Sequence, residues 1–232
     1  MISIILLLAV LLFTFISLAL ATGRHPFPAV VRASFDVLNE SSVWTWLNVT
    51  ILSCAAGLFF LIGWLPRTIN VFSRLPWIGI GTFVLMLSVD DLADFHGKLG
   101  TLGRALGGGE GLLTLAWIVP GSIIAVAMIM GVWLIARNLP RRTVFLVVSG
   151  FCLFLSVAIG FEMVQIAVTA RFGHGVLFVL AYHVEEFLEG FAAVVLFYAA
   201  AQNLEFRCSS GKLSIGVIAQ SCESKQKWVA DR

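Results

Sequence analysis

The chain has 232 residues, of which 59% are hydrophobic and 12% charged, with a formal net charge of +2. Its mean hydropathy is +0.99. A soluble domain carries about twice that charge fraction, so a disordered chain, a coiled coil and a disulfide-stapled secreted fold are excluded. The near-neutral charge leaves no basic footprint for nucleic acid. What remains is an all-α, polytopic helix bundle whose main partner is the lipid bilayer.

A spanning helix needs roughly 20 mostly apolar residues, and six segments satisfy this: residues 1–21, 43–65, 75–96, 112–136, 143–169 and 176–202. The first has no charge before Arg24. Ala19-Leu20-Ala21 resembles a signal-peptide cleavage site, but the segment lacks a basic leader and its apolar run is long for one, so it is read as a retained span. In the fourth, Pro120-Gly121 predicts a kink. Residues 1–202 therefore form one six-helix domain, and the polar segment 203–232 is expected to be a flexible tail.

Lys and Arg set the orientation. Arg67, Arg74, Arg137, Arg141, Arg142, Arg207, Lys212, Lys225, Lys227 and Arg232 fall on one side. Only Arg24, Arg32, Lys98, Arg104 and Arg171 fall on the other. This places both termini in the cytoplasm of a cell-membrane protein. Trp44, Trp46, Trp64, Trp77 and Trp133 lie near span ends, where the aromatic belt sits. The four cysteines form no CxxC pair, Gly107-Gly108-Gly109 lacks the Lys-Ser/Thr of a phosphate loop, and no GxSxG is present.

The functional lead is a set of acids inside these apolar segments. Asp90, Asp91 and Asp94 close the third span, Glu162 interrupts the fifth, and Glu185, Glu186 and Glu189 interrupt the sixth. An ionised group in hydrocarbon costs at least ~2.5 kcal/mol and usually faces the bundle interior. With alternating spans, all seven fall about 7–15 Å below the outer end. At 100° per residue, His183, Glu185, Glu186 and Glu189 share an arc of about 160° that includes Tyr182. Gln165 lies one turn beyond Glu162, and His96 follows the Asp group where the chain turns at Gly97.

So many carboxylates at one depth require either protonation or a cation. A divalent or transition metal ion answers the charge problem directly. Its expected ligands are Asp90, Asp91, Asp94, His96, Glu162, His183, Glu185, Glu186 and Glu189. Glu162, Glu186 and Glu189 are the leading oxygen ligands and His183 the nitrogen ligand. A metal-bound water acting on a lipid or small molecule from the outer side is the simplest chemistry for such a site. A proton- or cation-coupled transporter and a purely structural polar network are the competing readings. Transport is disfavoured by the lack of an internal repeat. Haem ligation by His96 and His183 is disfavoured by the crowd of carboxylates. Asp36 and Glu40 are expected to be solvated, although their outer loop could fold over the acids.

The arrangement resembles a group of uncharacterised multi-pass membrane proteins from bacteria. The resemblance rests on Asp90 to Gly97 (DDLADFHG), Gly160-Phe161-Glu162, Glu185 to Glu189 (EEFLE), and Phe35-Asp36 with Glu40 and Trp46. It covers residues 35 to about 200. The chain departs from the group's pattern at the Asp90-Asp91 pair, where the group has Asp-Glu, and at Gly97, where it has Glu after the histidine. The resemblance implies a shared residue set and no activity.

Overall fold

The computed structural model describes residues 1–22, 27–39, 41–65, 74–107, 116–209 and 212–217. Arg24, Glu40, Arg67, Gly108-Gly109, the start of the expected fourth span and the chain after Val217 lie outside the described residues. Nine helices follow in order among the described residues: α1 (Ile2–Thr22), α2 (Ala29–Phe35), α3 (Val43–Trp64), α4 (Leu75–Ala93), α5 (Phe95–Lys98), α6 (Gly100–Ala105), α7 (Ile118–Ala136), α8 (Arg141–Phe172) and α9 (Val176–Ala201). An antiparallel hairpin of β1 (Leu204–Ser209) and β2 (Lys212–Val217) follows, within the segment expected to be flexible. α1, α3, α4, α7 and α8 are long and apolar enough to cross a membrane. α9 has 26 residues, and its three glutamates set it apart from those five.

Local chemistry explains the helix limits. The Ser42 hydroxyl accepts the Thr45 N–H at 3.2 Å and caps α3. α4 stops at Ala93, short of the expected His96, because Asp94 adopts φ 46°, ψ 52°. Its N–H still closes on Asp90 O at 2.8 Å, and its carboxylate accepts the Gly97 N–H at 3.0 Å. The chain thus turns on Asp94 and restarts as α5. Pro120 lies in the first turn of α7, where a missing N–H costs nothing, so it opens the helix and does not kink it. α8 has 32 residues, longer than expected at both ends. At 1.5 Å per residue it is about 48 Å long and outreaches a ~30 Å hydrocarbon core.

Helix α9 packs against α1, α3 and α8, while α3 pairs with α4, α4 with α7, and α7 with α8. The helices α3, α4, α7, α8 and α9 therefore close a ring, and α1 lies against α9. Small residues let the backbones approach. Gly150 of α8 sits beneath Leu196, and Gly190 of α9 beneath Trp44 and Val10. Polar pins cross the interfaces. Ser88 Oγ donates to Val49 O at 3.0 Å and meets Ser53 Oγ at 2.9 Å. Arg142 donates to the Tyr198 hydroxyl at 2.6 Å, and Thr143 to Asn203 Oδ1 at 3.1 Å. On α1, the buried Ser17 hydroxyl accepts the Val37 N–H at 3.2 Å and meets His183 Nε2 at 2.9 Å.

Two stability measurements check this packing. A Cβ at Gly190 would lie 3.0 Å from Trp44 and 3.1 Å from Val10, whereas one at Gly57 meets nothing within 4 Å. Gly190→Leu should therefore destabilise the detergent-solubilised protein by about 1–3 kcal/mol, and Gly57→Leu by less than about 0.5 kcal/mol. Ser17→Ala strands the Val37 N–H and one His183 nitrogen together. A loss of about 1–3 kcal/mol in the same denaturation assay is expected.

Candidate functional site

The ring of helices encloses a cavity of about 1040 Å³ bounded by α4, α7, α8 and α9. Thr45 of α3 and Val37-Leu38, from the loop after α2, complete its wall. Val37 is buried there; of the two acids expected to be solvated, Asp36 precedes it and Glu40 lies outside the described residues. Most of the lining is apolar. The polar part consists of Asp90, Asp91, Asp94 and His96 from α4 and its terminal turn, Glu162 and Gln165 from α8, and Glu185, Glu186 and Glu189 from α9. Eight of the nine residues singled out in the sequence line this one space. No Lys or Arg lines it among the described residues.

Several carboxylates are held by protein donors. Trp44 Nε1 donates to Glu186 at 2.6 Å. Asn48 Nδ2 donates to Asp91 at 3.0 Å. Gln165 donates to Glu185. Asp90 grips His96 twice, accepting its backbone N–H at 2.9 Å and meeting Nδ1 at 3.1 Å, while His96 Nε2 lies 3.4 Å from Asp94. The His96 ring also packs on Trp117 with centroids 4.7 Å apart. His96 lies past the end of the α4 span. Burial works to lower its pKa, but the Asp90 hydrogen bond and the charges of Asp90, Glu162 and Asp94 outweigh it, and the pKa is raised above 6.5.

Two acids are less well served. Glu162 Oε2 is buried without a hydrogen-bond partner among the described residues. Glu189 is 8% exposed, lines the cavity, and has no side-chain hydrogen bond among the described residues. It lies within electrostatic reach of Glu186, Asp91, Glu185 and Glu162. The three acidic helices therefore converge there.

His183, expected as the nitrogen ligand, is the exception: it does not line the cavity. Its Nδ1 lies 2.8 Å from Val179 O, a group that can only accept, so Nδ1 carries the proton. Nε2 then accepts from the Ser17 hydroxyl at 2.9 Å. Both nitrogens are committed and the ring faces α1, with the Tyr182 ring tilted against it, centroids 4.4 Å apart. The wide arc on α9 spans two different interfaces: the glutamates face the cavity, and His183 faces α1.

Sequence reasoning singled out Gln165 and missed the other two donors. Trp44 and Trp77, read as belt residues, are each 2% exposed, and Trp44 is a carboxylate partner. Asn48 is a buried amide on α3 that reaches Asp91. A buried amide in an apolar span is itself a signal that a polar partner faces it. Among the described residues, no three His, Cys, Asp or Glu side chains are drawn together closely enough to hold a metal ion. The carboxylates are spread around a chamber.

No curated protein and no solved structure shows significant similarity to this chain. A family model, the domain of unknown function DUF8692, matches residues 3–202, which span every helix described above. The chain therefore belongs to that family, the domain of unknown function DUF8692.

Proposed function

We propose that the chain is a six-span membrane protein, with both termini in the cytoplasm, whose carboxylate-lined cavity binds a cation. The observation that carries this reading is the lining itself: seven acids and one histidine face one space, with no Lys or Arg among the described lining residues. In a low-dielectric bundle these groups hold protons or share a cation. A bound cation relieves the repulsion that Glu189, close to four other carboxyls, otherwise meets. α9 counts as the sixth span in this reading because its glutamates turn into the bundle and away from lipid. The orientation rests on the excess of Lys and Arg on one side.

The residue types suit a divalent or transition metal ion, and such an ion would need the dispersed carboxylates to move together. Asp91, Glu186 and Glu189, on facing helices, are the groups to supply it. A metal-dependent membrane enzyme and a cation-coupled carrier would both be built on such a site.

Calorimetric titration of the purified full chain with Mn²⁺, Zn²⁺, Ca²⁺ and organic ammonium ions should find saturable binding of at least one cation. Glu186→Gln together with Glu189→Gln should weaken it at least tenfold. Failure of the wild-type chain to bind any of them would end this reading. Topology has its own check: reporters placed after Ala201 and in the α3–α4 loop should score as cytoplasmic, and one at Gly107 as external. The opposite scoring at any of the three sites would overturn the six-span arrangement.

A further inference from the structure

The size and shape of the cavity narrow the kind of cation. A volume of about 1040 Å³ is at the upper end of pockets that hold whole organic ligands, far beyond the needs of a single ion. Its walls away from the acids are apolar, with Ile124 and Met128 of α7 and Phe154 and Ile159 of α8 among them. The acids thus occupy part of a chamber otherwise suited to hydrocarbon.

The chamber also has an entrance. α4 and α7 run antiparallel. Where α4 begins and α7 ends they are close: a Cβ at Gly79 would lie 3.2 Å from Ile135, and one at Gly131 would lie 3.3 Å from Phe83. Further along the pair lie Met86 and Ile124. Met86 on α4 and Ile124 on α7 are there 52% and 46% exposed, yet both line the cavity. Side chains that are exposed on an apolar helix surface and also line the chamber mark a lateral opening toward lipid.

At the inner end of this route stands Glu189, more than nine-tenths buried, facing the cavity and without a hydrogen-bond donor among the described residues. The absence of Lys and Arg from the described lining leaves nothing to receive a phosphate. A zwitterionic phospholipid would gain at its amine and lose at its phosphate.

We propose that the cavity takes an amphiphilic amine, a single-tailed ammonium without a phosphate, which enters from the bilayer between α4 and α7 and sets its cationic head against Glu189 and Glu186 and its tail along the apolar walls. This inference rests on the cation-binding reading above and names the class of cation.

The test is native mass spectrometry of the full chain in a neutral maltoside detergent, with dodecylamine as the probe. One dodecylamine per chain is expected, bound at least tenfold more tightly than butylamine, which lacks the tail, or dodecanol, which lacks the charge. Dodecylphosphocholine, which adds the phosphate, should also bind at least tenfold more weakly. Glu186→Gln with Glu189→Gln should abolish the adduct. Met86→Trp with Ile124→Trp, at the exposed mouth, should weaken dodecylamine while leaving any Mn²⁺ binding unchanged. Binding of Mn²⁺ or butylamine without preference for dodecylamine overturns the amphiphile and leaves the cation reading standing. Equal binding of dodecanol or dodecylphosphocholine overturns the ammonium as the recognised group. No binding of any cation overturns both. The ligand series on the wild-type chain decides the matter even if a variant fails to fold.

Discussion

The arrangement depends on one constraint: a carboxylate cannot stand in hydrocarbon without a partner. Helix α9 carries three of them within five residues, so its rotation about its own axis is fixed before any packing detail is considered. Glu185, Glu186 and Glu189 must turn inward. Once they do, the edge of the same face brings His183 against Ser17 of α1, and Gly190 beneath Trp44. The contacts of α9 with α1, α3 and α8 follow from that single rotational choice.

The carboxyls are then steadied by neutral donors. Trp44, Asn48 and Gln165 come from α3 and α8, and each gives one hydrogen bond to a different acid. A neutral donor lowers the cost of burial without cancelling the charge, unlike an arginine or lysine at the same place. The cavity therefore keeps its acidic character while its walls stay ordered. The charged groups that do pair with one another, His96 with Asp90 and Asp94, sit at the end of α4, where the chain leaves the apolar span.

Much of this was legible in the sequence, for physical reasons that can be stated residue by residue. Apolar length alone located the five long apolar helices, and the rarity of acids in such helices singled out the residues that line the cavity. The boundaries were less legible. Asp94 sits where apolar periodicity has already ended, and only its left-handed backbone reveals that α4 stops there. Pro120 read as a kink because α7 starts at Ile118 without a capping side chain to mark it. His183 was grouped with the glutamates because angular position on a helix gives direction but not distance. Two sides of a wide arc can face different neighbours, and Ser17 on α1 could not be paired with it from spacing alone. The hairpin after α9 carried no apolar pattern that would distinguish it from a polar tail.

The pair α4 and α7 is tied at two places. Gly79 and Gly131 let the backbones approach where α4 begins and α7 ends, and the His96 ring packs on Trp117 where α4 has ended and α7 begins. Met86 and Ile124, exposed and lining the chamber, lie between the two ties. From Phe83 to Ala93 that leaves about ten residues of α4, roughly 15 Å at 1.5 Å each. The border of the chamber there is a framed window of limited height and not a slot that runs the length of the two helices.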